Sequence, residues 1–346
     1  METATPENFS PPFFVGVDVG GTNIKVGIVD DRGHTIGFTN FSTQSHLSPE
    51  VAIADVNEAI DALSRETSIP LTDLTSIGLG TPGTMDISKG MILEPTNLPG
   101  WRHYPIRDEL SRSSGKPVTY ANDGAAAAYG EFWVGSAKDQ ASIVMLTLGT
   151  GVGGGIIIDG KSLDGQTSHG AECGHVIIDS SPMARKCSCG LRGHLEAYAS
   201  ATALVQRCEE KIQQGEKSSL AASIERGEAI SGLSIAQAAE NKDELAETLI
   251  LETADYLAIA ISILMNTIDP SAVILGGAMN FGGESNPVGK LFIQRVRSTA
   301  RKLALPVVGE SVLIEFAELG GNAGYIGAAG LAREEFYRSK ELSLAD

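Results

Sequence analysis

Four cysteines in 346 residues are too few for a disulfide scaffold. Basic residues are scarce too: 26 Lys and Arg stand against 43 Asp and Glu, a net charge of −17. A field of that sign repels DNA, RNA and anionic lipid, so neither nucleic acid nor a membrane surface is expected as a partner. The opening METATPENFSPPFF lacks the basic segment and long apolar run of a secretory signal. The longest apolar-rich stretch, near Tyr256 to Met265, is about ten residues, about half what a bilayer span needs. Ser262 interrupts it, and it reads as a buried helix. A cytoplasmic protein is expected. Two signatures of nucleotide binding are also missing. No G-x-x-x-x-G-K-[ST] loop occurs, and the Gly-rich turns join strand to strand where a dinucleotide fingerprint requires strand to helix.

The remaining composition is that of an ordinary soluble globular chain, 42 % hydrophobic and 20 % charged. Its length corresponds to about two domains. Glycine is the outlier, with 40 residues, where usual abundance gives about 24. The excess falls in VGVDVGGT, LGTPGT, LGTGVGGG, LGGAMNFGG and LGGNAGYIG, each after a β-branched apolar run. Glycine at a strand end lets backbone N–H groups approach a ligand closely, so repeated turns of this kind point to a polyanion held by main chain.

Residues 1–12 read as a disordered tail. Strands are expected at 13–18, 24–29 and 34–40, with the second turn at Asp30-Asp31-Arg32-Gly33. A helix at 49–65 follows from its apolar spacing, then strands at 76–80 and 118–121 and a helix at 123–134. A second hairpin at 142–148 and 154–158 precedes a loop over 164–193. Helices at 196–213, 243–265, 289–303 and 322–337 alternate with strands at 272–275 and 312–316. The recurring order suggests duplication and two α/β lobes with a cleft.

Asp18, Gly20, Gly21, Thr22 and Lys25 lie in DVGGTNIK, a hairpin suited to phosphate on main-chain amides with Mg²⁺ held through Asp18 and water. Gly149, Thr150 and Gly151 repeat that design. Gly276 and Gly277 form a third strand-end pair, open to a base or sugar against backbone, or a plain turn. Asp123, between a strand and a helix, is either an N-cap or a general base that accepts a hydroxyl proton during phosphoryl transfer. His175, Cys187, Cys189 and His194 supply four ligands for a closed, structural Zn²⁺ site, with Cys173 the rival fourth ligand. Cys208 reads as a buried helix residue. Glu172 and Glu196, flanking that loop, are acceptors for a polyol or solvated surface acids.

In this order the motifs resemble those of the ROK family of sugar kinases, over about residues 13–332. They are DxGGTxxK at Asp18–Lys25, LGTGVGGG, E-x-G-H at Glu172–His175, and C-x-C-G-x-x-G-x-x-E at Cys187–Glu196. The resemblance implies an α/β, two-lobed actin/hexokinase-like (ribonuclease H-like) ATPase fold with an interlobe cleft. The small lobe would be 13–122 plus a C-terminal helix at 325–341. The large lobe, 123–324, would carry the zinc loop and the adenosine site. It further implies ATP with Mg²⁺, Asp123 as base, and sugar contacts from Asn97, Asn122, Asp123, Glu172, His175 and Glu196. His175 would also ligate zinc, and Gly276-Gly277 would lie beside the adenosine. The segment Asn97-Leu98-Pro99-Gly100-Trp101 resembles the glucokinase branch, which implies phosphorylation of glucose at its 6-hydroxyl. Mannose, fructose, N-acetylmannosamine and N-acetylglucosamine are the alternatives, and polyphosphate the alternative donor.

The family usually places a third cysteine where this chain has His194, so the zinc set becomes His₂Cys₂. A sugar-sensing repressor shares these motifs but needs a DNA-binding helix-turn-helix ahead of Phe13, where about a dozen residues stand. An actin-like filament protein or plain ATPase has no need of the Glu172/His175 and Cys187/Cys189 loop. A homodimer or homotetramer is expected from the resemblance.

Overall fold

The computed structural model describes residues 9–345 apart from Ser45, Leu47 and Thr96, so residues 1–8 of the expected tail lie outside the described residues. Residues 9–12, expected to be disordered, are held by backbone. The Ser10 amide donates to Asp30 Oδ2 at 3.1 Å, and the Ser10 carbonyl accepts from the Asp31 amide at 2.9 Å.

Alternating apolar residues produce an antiparallel meander of β1 (Phe13–Val19), β2 (Asn23–Val29) and β3 (Thr35–Ser42). The crossover helix α1 (Pro49–Thr67) returns the chain to β4 (Leu74–Thr81), parallel to β1. A small hairpin, β5 (Thr84–Asp86) and β6 (Met91–Glu94), precedes α2 (Ile106–Ser114), β7 (Val118–Asn122) and α3 (Asp123–Trp133). The second meander is β8 (Ser142–Leu148), β9 (Val152–Ile158) and β10 (Lys161–Ser162). After the loop come α4 (Glu196–Ala199), α5 (Ala201–Gln213), α6 (Ala221–Glu225), α7 (Gly232–Glu240) and α8 (Glu244–Ile268). The chain ends with β11 (Ala272–Gly276), α9 (Pro287–Leu303), α10 (Pro306–Ser311), β12 (Leu313–Phe316) and α11 (Ala323–Ala345). The two five-stranded sheets run β3-β2-β1-β4-β7 and β10-β9-β8-β11-β12, the same order twice, as duplication requires.

The chain divides into two compact units. The first comprises residues up to Asp139 with Gly155–Ala171 and Glu318 onward; the second comprises Gln140–Gly154 and Glu172–Ala317. In the first, one face of the sheet (Val15, Val17, Val26, Ile77, Leu79) packs on Ile53, Val56, Ile60 and Leu63 of α1. Its other face meets α11 with almost no side chain between. A Cβ at Gly16 would lie 1.8 Å from the Tyr325 carbonyl oxygen, and one at Gly78 1.8 Å from that of Ala328. Helix α3 crosses α11 as closely, a Cβ at Gly327 falling 1.7 Å from the Ala126 carbonyl oxygen. This packing corrects two expectations. Residues 123–139, 155–171 and 318–324 belong to the first unit, not to a lobe spanning 123–324. And LGGNAGYIG is a turn after a strand only in its first half: Gly320 and Gly321 lie in the 3-10 turn between β12 and α11, whereas Gly324 and Gly327 lie inside α11, where their lack of a side chain admits a neighbouring element.

The helix expected at 196–213 breaks at Ser200, which is extended (φ −78°, ψ 163°) and caps α5 through its hydroxyl. Helix α8, by length and composition, is long enough to cross a membrane, more than the ten-residue stretch read above. It packs as a core helix, with Leu249, Ala254, Leu257 and Ile261 buried. Ser262 does not interrupt it, because its hydroxyl donates to the Ile259 carbonyl at 2.8 Å.

Candidate active site and metal centre

In the first unit, the β1–β2 turn is closed by the Gly20 amide donating to the Asn23 carbonyl at 2.9 Å. Asp18 and Lys25 face each other across the pair and form an ion pair at 3.6 Å. Lys25 Nζ also donates to the Gly321 carbonyl at 2.5 Å, tying the loop to the entry of α11. Burial raises the Asp18 carboxyl above its ordinary pKa, and Lys25 opposes that shift. A largely buried carboxylate whose one ion pair is long, at 3.6 Å, suits an approaching hydrated cation. Gly324 leaves room for the Asp18 carboxylate, since a Cβ there would sit 2.5 Å from Asp18 Oδ2. Asn97 packs over the same turn, 2.9 Å from where a Gly21 Cβ would stand. Thr22 is exposed, and its carbonyl accepts from the Thr43 amide at 2.8 Å.

The N-cap of α3 is Asn122, not Asp123. Asn122 Oδ1 accepts from the Gly124 amide at 2.8 Å and the Ala125 amide at 3.4 Å. Asp123 is the first helical residue, and its Oδ1 shares the Gly124 amide at 2.8 Å. The capping role considered for Asp123 is thus filled by its neighbour.

In the second unit, Glu196 is the junction. Its Oε2 accepts from the Val152 amide at 3.2 Å, and its Oε1 accepts from the Ser188 hydroxyl at 2.5 Å and the Cys187 thiol at 3.5 Å. Gly151 is required for that approach, because a Cβ would lie 2.4 Å from Glu196 Oε2. Gly174 similarly abuts the Val152 carbonyl, at 2.0 Å from its absent Cβ. The second glycine loop, the Glu172–His175 element and the Cys187–Glu196 element therefore pack as one assembly. Glu172 is exposed and leads the short 3-10 turn Cys173–His175, its carbonyl accepting from the His175 amide at 3.0 Å.

The ligand atoms of His175, Cys187, Cys189 and His194 all lie within 4.8 Å of one another. His175 Nδ1 is 3.2 Å from His194 Nδ1 and 3.8 Å from Cys187 Sγ, and Cys189 Sγ is 3.3 Å from His194 Nδ1. Zinc bonds of about 2.0–2.3 Å place the corners of a tetrahedron about 3.3–3.8 Å apart, so these residues fit the ion. Burial, with His175 adding to it, lowers the His194 pKa and favours the neutral ring that ligates. Cys173 lies outside the cluster; burial, with Glu172 beside it, pushes its thiol up to about 12.

Gly276 is buried at the end of β11, and Gly277 turns the chain at φ +90°, its absent Cβ 2.3 Å from the Leu148 carbonyl oxygen. Neither lines the neighbouring cavity of about 460 Å³; the turn instead delivers Ala278–Gly282 to it. Gly149 and Thr150 line it too, with Leu233, Gln237 and Glu240 of α7. Those α7 residues escape sequence reading because the helix is short and begins only at the Ser231 capping box.

The ROK family model matches residues 14–335. The chain is 31 % identical to the glucokinase of Halalkalibacterium halodurans, over 94 % of this chain and 96 % of that protein. The crystal structure of a ROK hexokinase from Thermus thermophilus superposes with a TM-score of 0.79 at 31 % identity, covering 94 % of this chain and 99 % of that one. A ROK family glucokinase from Streptomyces griseus, in complex with glucose and AMPPNP, gives 0.73 at 32 % identity over 93 % and 99 %. Two sheets of one strand order, paired glycine loops and a His/Cys cluster joined to Glu196 thus accompany a match along nearly the whole length: the chain belongs to the ROK family and has its α/β, actin/hexokinase-like fold.

Proposed function

We propose that the chain is an ATP-dependent kinase that transfers phosphate to the 6-hydroxyl of D-glucose. The observation that carries the mechanism is the division of labour at the head of α3, where Asn122 caps the helix and Asp123 stands next to it as the base. Glucose as substrate rests on the likeness to glucokinases and on the Asn97–Trp101 segment. Asp123 accepts the hydroxyl proton, the oxygen attacks the γ-phosphorus in line, and the bond to the bridging oxygen of ADP breaks. Main-chain amides of the Gly20–Thr22 and Gly149–Gly151 loops stabilise charge on the phosphate oxygens. Asp18 would hold Mg²⁺ through its waters, and the ion would supply positive charge to the phosphate oxygens. Asn97, Asn122, Glu172, His175 and Glu196 position the sugar, and the cavity lined by α7 and residues 278–282 takes the adenosine.

His175, Cys187, Cys189 and His194 would hold zinc, whose bonds would contribute folding energy and fix the loop that presents Glu196. The free cysteines agree with a reducing compartment, the cytoplasm.

The test is kcat/KM with ATP·Mg²⁺ and with polyphosphate over glucose, mannose, fructose and the two N-acetylhexosamines. A lead of tenfold or more for glucose with ATP, about 1.4 kcal/mol in transition-state binding, is expected. Preference for an N-acetylated sugar would overturn the substrate, and turnover only with polyphosphate would overturn the donor. Sugar binding without turnover of any pair would replace the enzyme reading with a sensor.

A further inference from the structure

A second open cavity, of about 760 Å³, lies wholly within the first unit and is lined by Arg32, His34, Trp133, Lys138, Leu319 and Ile326 among others. It joins the β2–β3 turn to the C-terminal end of α3. Helix α3 is about 16 Å long at 1.5 Å per residue, so the cavity opens far from Asp123 at the other end. Strand β2 likewise separates it from the Gly20–Asn23 turn by about 20 Å.

Among the described residues three basic side chains and no carboxylate line the space, in a chain where acids outnumber bases 43 to 26. Arg32 and Lys138 have no ion pair or side-chain hydrogen bond among the described residues. The carboxylate bonded to a lining side chain, Asp30, is fully buried and also accepts the amides of Ser10, Arg32 and His34. It leaves the two cations without a carboxylate partner among the described residues. The rest of the lining is largely apolar, and the Arg333 guanidinium lies 5.5 Å from the Trp133 ring centroid. Guanidinium, ammonium and imidazole around one opening match the several oxygens of a dianion, and an indole wall matches a flat ring.

We propose that this cavity is a binding site for a small phosphate ester, with the phosphate on Arg32, His34 and Lys138 and the ring of the ligand against Trp133. The chain has two tryptophans, and the other, Trp101, is 1 % exposed and is kept in W133F, so the part of a fluorescence change that is lost in that variant reports on Trp133. Fluorescence is titrated with inorganic phosphate, glucose 6-phosphate and AMP at constant ionic strength, on the native chain, on R32A/K138A and on W133F. The expected result is a saturable change with at least one ester at a Kd below about 1 mM. That affinity should weaken tenfold or more in R32A/K138A, whose indole is intact and whose altered side chains are exposed, and the change should vanish in W133F. Which ester binds more tightly separates a sugar phosphate from a nucleotide. No saturable change up to about 10 mM overturns the proposal, as does equal affinity in R32A/K138A, which would place the ligand elsewhere. Inorganic phosphate binding as tightly as either ester overturns the ring contact and the proposal with it.

Discussion

Asp123 and Asn122 are adjacent, both are short polar residues at a helix start, and each could cap it. Their hydrogen bonds separate them: Asn122 Oδ1 reaches two amides of the first turn, whereas Asp123 shares one of these. Asp123→Asn is expected to fold and bind glucose within a few-fold of the native chain while kcat falls about 10²–10⁴-fold; calorimetry beside steady-state kinetics checks both halves, and near-native kcat removes Asp123 as the base. Glu131 shows the opposite case, a residue with no sequence signal. It is fully buried in α3, and its carboxylate accepts the Ser136 amide and hydroxyl and the amides of Glu318 and Leu319. Glu131→Ala would leave those donors orphaned and cost about 3 kcal/mol or more by urea denaturation. A loss below about 1 kcal/mol would show that water replaces the carboxylate. Asp164 and Glu334 line one further cavity of the first unit, and burial raises both pKa values from their ordinary values. A raised folded-state pKa contributes stability that is present below the unfolded pKa and lost as pH rises through the folded one. Glu334→Gln should therefore stabilise the protein at pH 7 and not at pH 4, as read by thermal melts at both.

At the scale of elements, glycine does two kinds of work that composition does not separate. At Gly151 and Gly277 it permits close approach at the candidate site; at Gly16, Gly78 and Gly327 it lets α11 lie against sheet and helix backbone. Gly277→Ala combines a left-handed φ of +90° with a contact to the Leu148 carbonyl oxygen, which is backbone and cannot swing aside. About 1–3 kcal/mol of stability should be lost. KM for ATP should also rise, because the same turn positions the lining residues 278–282. An unchanged KM would detach this turn from the nucleotide. The His/Cys loop is an element with little apolar core of its own, Cys187 packing with Ala197 and Tyr198. Metal analysis of the native chain should find about one zinc per chain. His194→Ala should lower that content and weaken glucose binding through the loop that holds Glu196; full zinc occupancy in that variant would exclude His194 as a ligand.

For the molecule as a whole, the assembly expected of the family is a homodimer or homotetramer, to be read by light scattering against a chain mass of 36.2 kDa. A monomer at assay concentration would overturn it. Much of the fold was legible in the residues. Apolar, β-branched runs bounded by glycine turns placed β1, β2 and β8, apolar spacing placed α1, an apolar stretch marked α8, and their recurring order announced two sheets of one topology. Short-range spacing likewise marked Cys187 and Cys189, because residues two apart in a turn cannot lie far apart in space. Other decisions needed contacts between distant positions. Ser200 breaks a helix, Asn122 takes the cap, α3 joins α11, and Glu131 meets the backbone at 318–319. Arg32 and Lys138, a hundred residues apart, come to share one opening. The sequence by itself determined local conformation and the pattern of burial, since these follow from side chains within a turn or strand of one another. Only the tertiary structure decided which polar group meets which donor and where like charges gather, because such interactions depend on distances that chain separation does not set.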